Sequence, residues 1–295
     1  MMFDFSGIWL PLITPFSQQV VDSDALQKLV TEYRSTGIAG FVSLSTTGEA
    51  NLLSSEEQDL VLKTTIEAAD GLPVIAGLTG SNFTEIQQRL EQLSRFNLAG
   101  ILVSSPAYIR PSQQGLIEYF LKIAELSPFP VIIYEIPYRT GVHLELSSLL
   151  TLARHPNIQA IKDCAGSPEI TQVLIADGNL QVLAGEDFNI FQTLCMGGSG
   201  AIGAAVHFYP ERYVQMERYI RAGQLEQAQR IFSSLTPLIK CLFAEPNPAP
   251  VKGLLTSHGK IKNEFMFPLQ PASTALIQTL GDLYFQIGNK RLIDS

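Results

Sequence analysis

Eight short apolar runs, each followed by a longer amphipathic stretch, constrain this chain more than any other feature. They are GIWLPLITP (7–15), GFVSLST (40–46), PVIAGL (73–78), AGILVSS (99–105), PVIIYEI (130–136), IQAIKD (158–163), LQVLAG (180–185) and GAIGAA (200–205). Most are rich in Ile, Val and Leu without alternation, the pattern of strands buried on both faces. The stretches between them repeat apolar residues at helical spacing and carry helix punctuation. DSDALQKLVTEYRSTG (22–37) opens on Asp and Ser caps and stops at Gly37. SSEEQDLVLKTTIEAADG (54–71) has Ser54 or Ser55 as cap, acids in its first turn and Gly71 as stop. Strands that alternate with helices pair in parallel, joined by crossovers. Eight such units close a barrel. An open doubly wound sheet is the alternative, but it carries a glycine fingerprint after its first strand, and the loop ITPFSQQ (13–19) has no glycine. The expected fold is an α/β (β/α)8 TIM barrel over residues 1–208. From 209 to 295 only helical patterns remain, broken at AEPNPAP (244–250) and MFPLQPAS (266–273). That region is expected to be a C-terminal helical extension packed on the barrel.

Bulk properties narrow the function. A chain of 295 residues, 46% hydrophobic and 16% charged, has ordinary globular composition. Barrels of this length form one core without staples. The net charge is −8 and no Lys/Arg run occurs, which argues against nucleic acid or an anionic membrane as partner. No apolar run reaches the roughly 18–20 residues of a membrane span. The start MMFDFSG lacks a basic segment and a long apolar one, so no signal peptide is expected. Cys164, Cys195 and Cys241 are odd in number and far apart, which suits reduced thiols in the cytoplasm. His143, His155, His207 and His258 are isolated, so no metal site is expected.

In a barrel of this kind, polar residues at the C-terminal strand ends form the mouth of the active site. Those ends present Ser45, Thr46, Thr47 and Glu49; Ser105 and Tyr108; Tyr134, Glu135 and Arg139; and Lys162. Lys162 is the unusual one, a cation closing the apolar strand IQAIKD. A partly desolvated lysine has a lowered pKa, and its neutral amine attacks carbonyls to form a Schiff base. Tyr134, at a neighbouring strand end, can shuttle the protons such steps need. Hydroxyls and turn amides of STTGE can hold a carboxylate, and Arg139 offers a fork for a second one. Taken singly, each has an ordinary reading: a capping turn, a core tyrosine, a surface ion pair, a solvated lysine. GGSG (197–200) reads better as tight packing than as a phosphate cradle, so a pyridoxal phosphate enzyme is poorly supported. Their joint occurrence at successive strand ends points to a carbonyl–amine enzyme for an anionic keto acid.

The collinear motifs TTGE (46–49), SSPAYIRPS (104–112), YEIPYRTG (134–141), IKDCAG (161–166) and GGSGAI (197–202) resemble the dihydrodipicolinate synthase / N-acetylneuraminate lyase family of Schiff-base aldolases. The likeness runs from about residue 7 to 265, and Tyr134 and Lys162 lie 28 residues apart, as the family has them. The resemblance implies an imine between Lys162 and pyruvate, with no other cofactor, and Tyr134 as acid/base. It implies that Thr46 relays protons between Tyr134 and Tyr108, the latter reaching in from a neighbouring subunit of a dimer of dimers. Thr47 would bind the pyruvate carboxylate, and Gly185 and Ile202 would line the pyruvate pocket. Within the family, Arg139 favours the synthases, which condense pyruvate with L-aspartate 4-semialdehyde to 4-hydroxytetrahydrodipicolinate on the way to diaminopimelate and lysine. The partners expected are therefore a small keto acid and an aldehyde.

Several positions depart from the family pattern. Ser45 stands where glycine usually precedes TTGE, Glu135 where asparagine is usual, and Gly203 where serine usually follows Ile202. Ala107 replaces a tyrosine that helps bind lysine in feedback-regulated synthases, and Ser55 and Gln58 occupy a region where those enzymes have histidines. No lysine feedback is expected. The departures leave two further readings: another Schiff-base pyruvate aldolase or dehydratase, acting on a 2-keto-3-deoxy sugar acid or a hydroxy-oxoglutarate, or a non-catalytic small-molecule-binding barrel. If Arg139 paired with Glu135, the synthase reading would weaken.

Overall fold

The computed structural model describes residues 2–289. All eight apolar runs are strands, and they close into one parallel barrel. The strands are β1 (Gly7–Pro11), β4 (Gly40–Ser43), β5 (Val74–Leu78), β6 (Gly100–Ser104), β7 (Val131–Glu135), β8 (Ile158–Asp163), β9 (Gln181–Ala184) and β10 (Gly200–Ile202). Around the barrel they run β1-β10-β9-β8-β7-β6-β5-β4, with β1 also bonded to β4. The loop after β1 differs from expectation. It holds a small antiparallel hairpin, β2 (Phe16–Ser17) and β3 (Val20–Val21). Gln18 and Gln19 both take positive φ, 55° and 62°, which matches the twist of a two-residue hairpin.

Helices cover the barrel as α1 (Ser23–Tyr33), α2 (Ser55–Ala69), α3 (Phe83–Leu93), α4 (Gln113–Leu126), α5 (Pro137–Thr140), α6 (Leu146–Leu152), α7 (Pro168–Asp177) and α8 (Ile190–Cys195). Their starts follow the capping rules. Ser54, not Ser55, caps α2, in a reciprocal box with Glu57. The C-terminal region adds α9 (Pro210–Arg221), α10 (Leu225–Leu242), α11 (Ala249–Ser257) and α12 (Thr274–Asn289).

The apolar residues form two cores. One lies between barrel and helices. The other fills the barrel itself, with Phe5, Trp9, Val42, Ile75, Leu102, Ile132, Ala160 and Leu183. Trp9 is fully buried and satisfies its indole by donating to the Phe5 carbonyl at 2.7 Å. This plug closes the barrel below the C-terminal strand ends, so polar side chains above it face a cavity rather than a pore.

Candidate active site

Strand register sets the central pair. Tyr134 on β7 lies directly opposite Lys162 on β8, and the next pair is Glu135 opposite Asp163. Successive residues of a strand point to opposite faces. Tyr134 and Lys162 therefore share the inner face, while Glu135 and Asp163 turn toward the helices. The Lys162 Nζ sits 4.3 Å from the centroid of the Tyr134 ring. Both line a cavity of about 450 Å³ with Thr46, Thr47, Arg139, Gly185 and Ile202. Seven of the eight residues singled out from the sequence thus share one pocket. Tyr108 is the exception. It is 94% exposed at φ 75°, away from the pocket of its own chain.

Lys162 is 5% exposed, and among the described residues no acid is in ion-pair contact with it. Burial lowers the pKa of its amine, while Asp187 and Glu186 pull the other way. A larger share of neutral amine at ordinary pH is the consequence. Burial also pushes the Tyr134 phenol upward, and a hydrogen bond from Thr46 opposes that shift. Tyr134 therefore holds its proton until a partner takes it. Gly185 is required by close approach. A Cβ there would overlap the Cys164 sulfur and stand 3.0 Å from Lys162 Cγ.

Thr46 and Thr47 belong to a single 3-10 turn, Thr46–Gly48, after β4. In the ring of eight strands β4 stands opposite β8, so the turn faces Lys162 across the mouth. It is tied down on several sides. Thr14 Oγ1 donates to the Gly48 carbonyl at 2.7 Å, and Asn247 Nδ2 donates to Thr47 Oγ1 at 3.0 Å. Glu49, at φ 57°, accepts from Lys252 Nζ at 2.6 Å and from the Met266 amide at 3.0 Å. Both side chains of this ion pair are completely buried.

Arg139 lies on α5, which starts at Pro137 and is capped by Gly141 at φ 77°. The arginine lines the Lys162 cavity and a second one of about 590 Å³ beside it, which also touches Ala107 and Gln58. Glu135 does not compete for it. Its Oε1 accepts from the Leu144 amide at 3.0 Å, and its carboxyl is buried behind the barrel wall near Asp163. Burial raises its pKa to about 7. The negative charge at this departure from the family pattern points away from the pocket.

Several pocket residues were given no role from the sequence, although Glu186 and Asp187 stand just past the end of β9, where the strand-end rule applies. Asp187 is buried, accepts from the Ala205 and Ala204 amides at 2.8 and 3.1 Å, and holds the turn after β10. Glu186 accepts from the Tyr138 hydroxyl at 3.0 Å. Phe243, read as the end of a helical stretch, and Ala244 to Asn247, read only as a chain break, form a wall of the cavity. Their closeness to Lys162 comes from the packing of the C-terminal region, which no local pattern encodes. Among the described residues no cluster of three or more His, Cys, Asp and Glu side chains could hold a metal ion, and no helix is long and apolar enough to cross a membrane.

A parallel eight-stranded barrel whose strand ends gather a desolvated lysine, a phenol, two threonines and an arginine around one cavity is the architecture of a carbonyl–amine enzyme for anionic substrates. Comparison with known proteins makes this specific. The chain belongs to the dihydrodipicolinate synthetase family, whose family model matches residues 4–286. It is 36% identical over 278 residues to 4-hydroxy-tetrahydrodipicolinate synthase 2 of Clostridium acetobutylicum, covering 93% of this chain and 97% of that one. It is 36% identical over 270 residues to the 4-hydroxy-tetrahydrodipicolinate synthase of Methanocaldococcus jannaschii, covering 90% and 92%. Among solved structures it resembles dihydrodipicolinate synthase from Thermotoga maritima, with TM-score 0.93, 29% identity and coverage of 97% and 99%. A dihydrodipicolinate synthase variant described as the first monomeric one also matches, with TM-score 0.93, 29% identity and coverage of 96% and 97%.

Proposed function

We propose that this chain is a 4-hydroxy-tetrahydrodipicolinate synthase, condensing pyruvate with L-aspartate 4-semialdehyde. The observation that carries the reading is one cavity holding the Lys162–Tyr134 pair together with Arg139. Names shared by relatives covering nearly the whole chain support it.

In this reading the neutral Lys162 amine adds to the pyruvate ketone, and loss of one water leaves an imine. Thr47, with the amides of its turn, receives the pyruvate carboxylate, while Gly185 and Ile202 bound the small pocket. Loss of a methyl proton turns the imine into an enamine, whose carbon attacks the aldehyde. The aldehyde oxygen takes up a proton as the new carbon–carbon bond forms. The substrate amino group then displaces Lys162 from the imine carbon and closes the ring. One water is released overall and the enzyme is regenerated. Tyr134 serves these proton transfers through Thr46, and Arg139 binds the aldehyde's carboxylate. The imine itself is the electron sink, so the scheme needs no added cofactor.

Tyr108 completes the relay from a second copy of the chain. Its 94% exposure in the single chain and its place outside the lining of its own pocket fit that role, and a dimer of dimers is the assembly proposed. Three unpaired cysteines fit a cytoplasmic enzyme. Turnover of the two substrates, coupled to the next reductase, tests the reading. Steady turnover supports it; turnover with 2-keto-3-deoxy sugar acids but none with the semialdehyde would move the chain to a neighbouring specificity.

A further inference from the structure

Tyr138 is a side chain the proposed chemistry does not use. It is 65% exposed, on α5 just past the end of β7. Its hydroxyl donates to Glu186 Oε1 at 3.0 Å. Glu186 follows β9, and β7 and β9 flank β8. The contact therefore crosses over the end of the strand that carries Lys162. The thiol of Cys164, two residues beyond Lys162, has its pKa raised by burial and also lies close enough to Glu186 for the carboxylate to raise it further. The Tyr138 ring meanwhile lies under the Arg139 guanidinium, 5.7 Å from ring centroid to Cζ. One tyrosine thus contacts a cation through its face and an anion through its hydroxyl, and all three side chains line the Lys162 cavity.

We infer that Tyr138 is a positioning residue for the aldehyde substrate. It fixes Arg139 and Glu186 as a plus–minus pair on the rim, complementary to an aldehyde bearing both a carboxylate and an ammonium group. The inference rests on the synthase reading and adds to it a reason for selecting an amino acid aldehyde over hydroxylated acids. Pyruvate lies deeper, against Lys162 and the threonine turn, and does not meet this pair. Tyr138 therefore governs the second substrate and leaves the first alone.

The test is Tyr138→Phe, which keeps the ring and removes the hydroxyl, beside Tyr138→Ser, which removes both. A hydrogen bond to a charged group, discounted for solvent exposure, corresponds to about a five- to twentyfold effect. The KM for aspartate semialdehyde should rise by that factor in Tyr138→Phe and further in Tyr138→Ser. The KM for pyruvate, the rate of borohydride trapping and the melting temperature should stay within about twofold or a degree or two of wild type. Inhibition by succinate semialdehyde, the same aldehyde without the amino group, should weaken less than aspartate semialdehyde binding does in Tyr138→Phe. An unchanged semialdehyde KM, or equal changes for both substrates, overturns the inference while leaving the synthase reading intact. Absence of semialdehyde turnover in the wild type overturns the reading and the inference with it.

Discussion

Lys252→Met tests how the C-terminal region supports the site. Lys252 Nζ lies 2.6 Å from Glu49 Oε1, with both side chains at 0% exposure. The rings of Phe16 and Phe265 lie against it, at 4.3 and 4.4 Å from their centroids, and Glu264 adds a further negative charge nearby. Methionine keeps most of the stem and its packing. Among the described residues it leaves the Glu49 carboxylate with the Met266 backbone amide as its remaining donor. A buried charge stripped of its partner costs about 3–5 kcal/mol. For a chain of this size that lowers the melting temperature by roughly 5–8 °C. The double variant Glu49→Gln, Lys252→Met leaves no charge, and the amide oxygen still accepts from Met266; its loss should be about 1 kcal/mol. The loss in the Lys252 single should therefore exceed that in the double by about 2–4 kcal/mol, and urea unfolding of wild type, both singles and the double measures it. The single variant should also raise the pyruvate KM, because Glu49 anchors the Thr46–Gly48 turn. Equal losses in the Lys252 single and the double, or a single loss below about 1 kcal/mol, would show that Glu49 is hydrated or otherwise paired.

Two further outcomes follow from individual side chains. Arg139→Ala should raise the semialdehyde KM or lower turnover by about ten- to a hundredfold while pyruvate still forms its imine; unchanged semialdehyde kinetics would remove the carboxylate role. Glu135→Gln should become progressively more stable than wild type as pH rises. The native Glu135 pKa is about 7 against an ordinary 4.5, so between those values the native state holds a proton the unfolded chain has lost. That contribution is full below about pH 4.5 and is lost as pH rises through 7. Glutamine has no proton to lose, so the gap in unfolding free energy should widen by at most about 3 kcal/mol between pH 5 and 8. A gap independent of pH would mean the carboxyl is ionised throughout.

The barrel was legible because each apolar run is short and bounded by caps, and because a parallel strand buried on both faces needs no alternation. The hairpin Phe16–Val21 escaped notice, since its two strands are two residues each and its turn is Gln18-Gln19 rather than a glycine dipeptide. Lys162, Tyr134, Thr46, Thr47 and Arg139 could be found because strand ends are local features and the rule that they form the mouth is geometric. Asn247 and the Lys252–Glu49 pair were not, because each joins positions about 200 residues apart. Nothing in NPAPVK says which turn it will meet. Glu135 shows the limit from the other side. Its neighbour Tyr134 suggested a place in the pocket, but the period of a strand turns adjacent side chains to opposite faces, and Glu135 went to the helices.

The central claim is that Lys162 is the amine that binds pyruvate. The direct measurement is to incubate the protein with pyruvate, reduce with borohydride and locate the modified residue by peptide mass spectrometry. The account predicts one adduct, on Lys162, formed faster as pH rises toward the lowered pKa of its amine and absent in Lys162→Ala, which should fold normally. An adduct on another lysine, or none on a folded wild-type protein, would contradict it.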